Sequence, residues 1–407
     1  MNKAQKTFKG GYRFRHFKGT PGEVIELLEA PDTIILPLRP GPLGSTEPSV
    51  KVGDEVRAGQ VIGTGPVHSP VDGTVSGIAK TAAVIIEKKP GYAFGNDDVI
   101  KLAGASADWR KLESPSIEGY IYNSGAASLD TAGIPTRYGS SPIGPEEVEH
   151  LIVRIIGDEL LPVCDSVLLQ DNGIESFLEG LRMLEKLFPR ATITIAVSSN
   201  RSELFHRIEE RLLPDDKITL LPVSDKYPQS FEQILVSTVT GDEFPYGFKA
   251  VNIGVVLLSV QTVLAVYDAV TSGTPVLSRI IALGGTGFKE TPHLRVPLGT
   301  PWEAVLEKHR NTDRDYRFVK NSLLTGETIE DPSLPVTITD SAVYGIPVPP
   351  KTSLPKKTPT ALPTITTHMG AVGGRIRGKM SPVTRNPSSI SRFLMRAKAT
   401  STIPPAT

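Results

Sequence analysis

Cysteine is almost absent from this sequence of 407 residues, in which Cys164 is the single example. No disulfide can form within the chain, and no metal cluster that needs several thiolate ligands can be assembled from it. Seven histidines are scattered without an HxH or HxxxH spacing, so the pattern predicts no dedicated metal site. A lone cysteine of this kind is typical of a small core residue.

Long apolar runs are also missing. No stretch of about 18 consecutive apolar residues occurs, so the sequence predicts no membrane-spanning helix. The first 19 residues are basic but lack the apolar segment of a secretory signal peptide. These absences favour a cytoplasmic protein.

Charge is balanced in total but not along the chain, which has 44 Lys and Arg and 44 Asp and Glu. Ten of the basic residues and none of the acidic ones lie in 349–407, so residues 1–348 carry 34 basic against 44 acidic groups. The sequence therefore predicts an acidic body followed by a basic tail. The tail is too rich in Pro and Thr to build a packed core, although 388–399 has the spacing of a short amphipathic helix.

The body reads as two to four globular domains, given its length and a hydrophobic content of 39%. After an N-terminal extension (1–27), short alternating runs separated by glycines predict a small antiparallel β structure. The predicted strands there are 33–38, 55–64, 73–79 and 82–88.

The middle of the chain alternates apolar strands with amphipathic helices, which predicts an α/β, Rossmann-like domain. The predicted strands are 150–156, 165–170, 191–197, 217–223 and 250–256. The predicted helices are 174–188, 201–213 and 259–270, and Ser199 or Asn200 is expected to cap the second. Beyond residue 272 the sequence is again β-rich, with a short helix at 301–309.

Several segments, in this order, carry a resemblance to a known family: PSVKVGDEVRAGQVIG (48–63), VHSPVDGTVSGI (67–78), DKYPQSFEQIL (225–235), 252–285 and HLRVPLGTP (293–301). They resemble the RnfC subunit of the Rnf electron-transport complex. That family is related to the NADH-binding flavoprotein subunit of complex I and to NqrA.

The resemblance, together with the patterns above, implies an α/β plus β fold. Its parts are a barrel-sandwich-like N-terminal domain (28–110), a Rossmann-like α/β domain (111–271), a β-grasp domain of the SLBB type (272–348) and an extended C-terminal tail (349–407).

In the resembled family, flavin and nucleotide lie against a loop of the form GxGGAGFPT, matched here by SLDTAGIPT (128–136). Four positions agree with the family pattern: Ala132, Gly133, Pro135 and Thr136. Three others carry side chains where the family has glycine: Ser128, Asp130 and Thr131. Because glycine lets a backbone approach phosphate and ring closely, we expect the three β-carbons to crowd this pocket. We also expect the Asp130 carboxylate to repel a phosphate.

A second family element is an acidic NAAECEP-like stretch, matched here by IGDELLP (156–162). Glu159 and Pro162 are retained, but Leu160 and Leu161 replace the cysteine and the second acid. The cysteine-rich iron–sulfur motifs of the family have no counterpart in these 407 residues. The matching positions are therefore interpreted as vestigial, and no catalytic residue, metal ligand or cofactor is predicted. FMN or NADH in a remodelled pocket is the alternative.

These patterns predict an accessory or scaffold subunit of a membrane-associated electron-transfer assembly of the Rnf, Nqr or complex I type, with no catalysis by this chain alone. The expected partners are other subunits of that assembly, contacted in part by the tail 349–407, and an anionic lipid surface, but not nucleic acid. The expected location is peripheral, on the cytoplasmic side of the membrane. Two alternatives remain open: an NADH- or quinone-interacting oxidoreductase subunit, and a free-standing protein that binds a small molecule through its β-grasp unit.

Overall fold

The structure is a computed structural model that describes residues 5–14, 18–39, 46–95, 98–130, 132–139, 141–157 and 165–349. Cys164, Glu159 and the tail from residue 350 onward, with its predicted helix at 388–399, lie outside these ranges. None of the helices in the described ranges has the length and apolar character that crossing a bilayer requires.

The described strands, in chain order, are β1 (Ile25–Leu27), β2 (Thr33–Pro37), β3 (Glu55–Val56), β4 (Val61–Gly63), β5 (Val67–His68), β6 (Gly73–Ala79), β7 (Ala83–Lys88), β8 (His150–Ile155), β9 (Thr192–Ser198), β10 (Ile218–Val223), β11 (Val255–Ser259), β12 (Ser278–Gly284), β13 (His293–Pro297), β14 (Tyr316–Lys320), β15 (Glu327–Thr328) and β16 (Ala342–Pro347). The described α-helices are α1 (Ser114–Asn123), α2 (Gly173–Leu187), α3 (Ser202–Glu209), α4 (Glu232–Thr240), α5 (Val260–Ser272) and α6 (Trp302–Glu307).

The first sheet is antiparallel, with the strand order β2-β7-β6-β3, while β4 and β5 pair separately. The strands predicted at 33–38, 73–79 and 82–88 are confirmed as β2, β6 and β7, whereas the predicted strand 55–64 is divided by a turn into β3 and β4. The alternation in β2 has the expected cause. Ile34 and Leu36 of β2 are buried against Val84 and Ile86 of β7, while their neighbours in sequence face outward. This sheet is the core of the N-terminal β unit.

The second sheet is parallel, in the order β10-β9-β8-β11. One face packs against α1, α2 and α5, and the other packs against α4. Because both faces are covered, most of the strand residues are buried, as in β9, where six of the seven are. This layered arrangement confirms the α/β character predicted for the middle of the chain.

The third sheet has the order β1-β13-β12-β16-β14-β15, and α6 packs on it. Its core includes Ile281, Leu294, Trp302 and Val343. The sheet agrees with the β-rich prediction for 272–348, but it also recruits β1, whose residues pair in parallel with β13. The assignment to the SLBB type stays a prediction.

Residues 5–14, which we call the N-terminal strap, cover the exposed edge of β10. Lys6 bridges Val223, and the Lys6 N–H donates to the Pro222 carbonyl at 3.0 Å. Tyr12 and Tyr227 exchange two backbone hydrogen bonds of 2.9 and 2.8 Å. An unpaired strand edge is thereby shielded.

Three further local predictions are wrong. Residues Asp165–Leu169 form a 3₁₀ helix instead of a strand, although Val167 and Leu169 are buried as the apolar pattern requires. A run this short does not distinguish the two geometries. In the 250–256 segment, Ala250–Ile253 is also a 3₁₀ helix and the strand begins only at Val255.

The third wrong prediction concerns the cap of α3. Position 201 precedes the helix and no side chain caps it. Ser199 instead accepts a hydrogen bond from the Gln5 side chain at 3.0 Å, and the Asn200 amide donates to Asp225 at 2.7 Å. Both predicted caps therefore have other partners.

Candidate functional site

The described part of the 128–136 loop folds back on the 3₁₀ turn Ala126–Ser128, which follows α1. The Ile134 N–H donates to the Ala127 carbonyl at 2.8 Å, and the Gly133 N–H donates to the Asp130 carbonyl at 2.9 Å. Gly133 has a φ of +70°, and a β-carbon there would lie 2.8 Å from the Ala127 oxygen. Glycine at 133 is therefore required by the turn itself.

The other predicted site positions serve this turn as well. Pro135 and Thr136 are buried beneath the loop, while Ala132 and Gly133 are partly exposed. None of these four lines either of the two cavities described below. Thr131 and Glu159 lie outside the described residues.

Asp130 connects the loop to the N-terminus of α5. Its Oδ2 accepts hydrogen bonds from the Ser259 N–H at 2.8 Å, the Thr262 hydroxyl at 2.6 Å and the Ser259 hydroxyl at 3.3 Å. The Ser259 hydroxyl in turn accepts the Thr262 N–H at 3.3 Å. Unpaired N–H groups and the helix dipole make a helix N-terminus favourable for an anion. In this chain the Asp130 carboxylate is that anion.

A cavity of about 210 Å³ opens beside Asp130, and we call it the Arg279 cavity. Its walls come from the 128–136 loop, the second sheet, the start of α5 and the third sheet. Four charged side chains contribute to them: Asp130, Arg154, Asp165 and Arg279. The volume falls below the roughly 300–1,000 Å³ usual for sites that hold larger organic ligands.

Burial displaces the pKa values of two of these groups, Asp165 and Arg279, from their ordinary values. Removal from bulk water raises the pKa of the Asp165 carboxyl to about 6, and the positive charges of Arg201 and Arg154 oppose this rise. Burial lowers the pKa of the Arg279 guanidinium, which is only 4% exposed. In the described part of the chain, no ion pair joins the four side chains to one another.

A second cavity, of about 320 Å³, adjoins the first; we call it the junction cavity because its walls come from all three units. Tyr92 and Phe94 of the N-terminal unit face Leu264 of α5 and Ile280 of β12 across it. Its charged groups are Lys101, Asp268 and Arg295. The two cavities share the walls formed by Leu129, Leu168, Gln261 and Ile280.

Metal coordination has no candidate within the described ranges, where no three His, Cys, Asp or Glu side chains are grouped as ligands. The charged groups of the site are its two arginines and two aspartates, beside the N-terminus of α5.

Sequence reasoning did not select Arg154, Asp165 or Arg279 as site residues. Arg279 lies in β12 between the apolar residues Leu277 and Ile281, and residues 279–284 are all buried. Burying a charge costs free energy unless the charge is paired and hydrogen-bonded. This arginine is therefore the feature of the sequence that could have indicated the site. Nothing in the sequence alone brings Arg154 and Asp165 to the same cavity.

The fold combines an N-terminal antiparallel β unit with a layered α/β domain, and family models match both parts of the chain. Residues 121–268 match the family model of the Nuo51 FMN-binding domain, and residues 6–97 match that of the RnfC barrel sandwich hybrid domain.

Two relatives align with 74% of this chain. The C subunit of the proton-translocating ferredoxin:NAD(+) oxidoreductase complex of Clostridium ljungdahlii is 25% identical over 317 residues, which span 68% of its length. The C subunit of the ion-translocating oxidoreductase complex of Edwardsiella ictaluri is 27% identical over 312 residues, but these span 38% of its length. The two family models and the two relatives together support membership of the RnfC family.

Among solved structures, an NAD⁺-reducing [NiFe]-hydrogenase is similar at 16% identity with a TM-score of 0.48, covering 60% of this chain and 49% of the hydrogenase chain. A similarity at this level has no bearing on the function of this chain.

Proposed function

We propose that this chain is an accessory or scaffold subunit of a membrane-associated electron-transfer assembly of the Rnf type, and that its flavin pocket is closed. The observation that carries the proposal is the position of Asp130. Its carboxylate already neutralises the N-terminus of α5 through Ser259 and Thr262. A ligand phosphate placed there would meet a negative charge in addition to the β-carbon of residue 130.

The rest of the molecule is consistent with a retained scaffold. The three sheets keep well-packed cores, so the surfaces that would contact neighbouring subunits are held in place. Both relatives are named as subunits of oxidoreductase complexes, which supports other subunits as the partners of this chain. The basic tail 349–407 is proposed to bind an acidic surface of such a partner, on the cytoplasmic side of the membrane.

Purification from native membranes tests the accessory role. The full chain, tagged at its N-terminus, is expected to recover other subunits of an electron-transfer complex in fixed stoichiometry, whereas a chain ending at residue 348 is expected to recover less. Vesicles of anionic lipid, added to the purified chain alone, separate lipid binding by the tail from binding to a protein partner. Recovery of a monomer whose behaviour does not depend on the tail would contradict the proposal.

A quinone-interacting subunit is the second candidate, and the junction cavity favours it. The cavity lies within the size range of ligand sites, and Phe94, Leu264 and Ile280 contribute aromatic and aliphatic surface to its walls. A saturable change in the fluorescence of Trp109 and Trp302 on titration with a short-chain quinone would support it. The Leu264→Arg variant should then abolish the change, while Leu213→Arg, on an exposed residue, should not.

A further inference from the structure

The guanidinium of Arg279 has hydrogen-bonding capacity that the described residues do not use. Its Nε donates to the Asp340 carbonyl at 2.9 Å, but its Nη1 lies out of reach of water and has no acceptor. A buried, charged donor without a partner is destabilising, because it has lost its hydration without compensation. The cavity that Arg279 lines is where an acceptor could approach this side chain.

The acids nearest to Arg279 are already used by other donors. Asp340 accepts hydrogen bonds from the backbone N–H and the hydroxyl of Thr337, both at 2.8 Å. Asp130 is bound to the start of α5, as described above. Neither carboxylate is within ion-pairing distance of the arginine.

The remaining charges on the cavity walls are Arg154 and Asp165. Arg154 is exposed, whereas Arg279 and its neighbours His293 and Tyr344 are almost fully buried. The cavity is therefore lined by two guanidinium groups and two carboxylates, which balance in formal charge. Among them, the Nη1 of Arg279 on the buried wall is the donor that lacks an acceptor.

We propose that the Arg279 cavity binds the oxyanion group, a phosphate or a carboxylate, of a small molecule, with Arg279 as the anchoring residue. Guanidinium groups form strong charge-assisted hydrogen bonds with both kinds of oxyanion. The volume restricts the occupant to a small molecule. This inference rests on the proposed function, since it gives the cavity a ligand other than flavin.

Calorimetric titration of the full chain tests the inference, with inorganic phosphate and acetate as separate probes at constant ionic strength in chloride. Saturable binding of phosphate or of acetate is expected. The probe with the higher affinity shows whether the site prefers a phosphate or a carboxylate. Arg279→Gln should weaken binding at least about tenfold, the effect of losing one charge-assisted hydrogen bond.

Because Arg279→Gln removes a buried contact, two further variants keep the test independent of folding. Arg154→Gln should weaken binding, and Asp165→Asn should tighten it, since the latter removes the opposing negative charge. Arg314→Gln, on an exposed arginine paired with Asp313, is the matched control and should change nothing. No saturable binding of either probe, or equal effects in all four variants, would overturn the inference.

The same titration with FMN separates the two proposals. Saturable binding of FMN would contradict the closed flavin pocket, whatever phosphate and acetate do. Failure of phosphate and acetate together with failure of FMN would overturn only the oxyanion site.

Discussion

Asp130 shows how one side chain can change what a family-like backbone does. The turn around Gly133 keeps the geometry that its glycine requires, yet the residue three positions earlier places a carboxylate at the start of α5. The same N–H groups and helix dipole that would attract a bound anion now stabilise the protein itself.

Replacing Asp130 should therefore reduce stability. Asp130→Ala is expected to lower the free energy of unfolding by about 1–2 kcal/mol, since it removes an anion and hydrogen bonds from a helix N-terminus. Urea denaturation followed by circular dichroism measures the change. Asp215→Ala, on an exposed aspartate of the α3–β10 connection, is the control and should have little effect. Equal stability of the two variants would show that Asp130 does not support α5.

Asp165 should make stability depend on pH. Its pKa is about 6 in the folded protein and near 3.8 ordinarily, so between these values the folded state holds a proton that the unfolded state has released. The contribution is present below pH 3.8 and is lost as pH rises through 6. Asp165→Asn cannot ionise, so it should be more stable than the parent at pH 7.5, with the difference shrinking towards pH 4. A difference that stays constant across this range would contradict the assignment.

At the scale of elements, the contact between α2 and α5 depends on a close approach of two helices. A β-carbon at Gly180 of α2 would lie 2.6 Å from the Val263 carbonyl of α5. The absence of a side chain at 180 therefore sets the distance between the helices that cover one face of the parallel sheet.

Gly180→Ala should destabilise the protein by about 1–3 kcal/mol through overpacking. Gly119 of α1 provides a matched control, because a β-carbon there meets nothing within 4 Å. Gly119→Ala should be neutral or stabilising by up to about 1 kcal/mol, given the helix propensity of alanine. Thermal unfolding of both variants measures the pair, and a stabilising effect at Gly180 would refute the close packing.

The N-terminal strap should protect the edge of the parallel sheet. The Ser224 N–H donates to the Lys6 carbonyl at 3.0 Å, and the Tyr227 N–H donates to the Tyr12 carbonyl. Deleting residues 1–14 should therefore speed hydrogen exchange in a peptide covering 221–231. Exchange in β8, which lies inside the sheet, should change less. Unchanged exchange at 221–231 would mean that the strap does not cover this edge in solution.

Elements with a clear period were predictable from the sequence, and those defined by long-range contacts were not. The helix expected at 174–188 is α2, and its stripe of Phe177, Leu181 and Leu184 is buried because the period of 3.6 places them on one face. The N-terminal strap has no periodic pattern of apolar residues, so its pairing with β10 could not be predicted from the sequence. The Arg279 cavity draws its walls from distant segments, which no local pattern brings together.

At the scale of the whole molecule, we propose separate roles for the acidic body and the basic tail. The described body positions the surfaces of an RnfC-type subunit, and the tail supplies positive charge for an acidic partner. The account depends on the body having lost its flavin, because a bound flavin would make it a redox subunit and not a scaffold.

Titration of FMN fluorescence with the purified full chain tests that claim most directly. We expect no saturable quenching at micromolar concentrations of the chain. A known FMN-binding protein serves as the positive control, because it should quench the same FMN sample. Saturable binding of one FMN per chain that Asp130→Glu weakens would place flavin beside residue 130 and contradict the account.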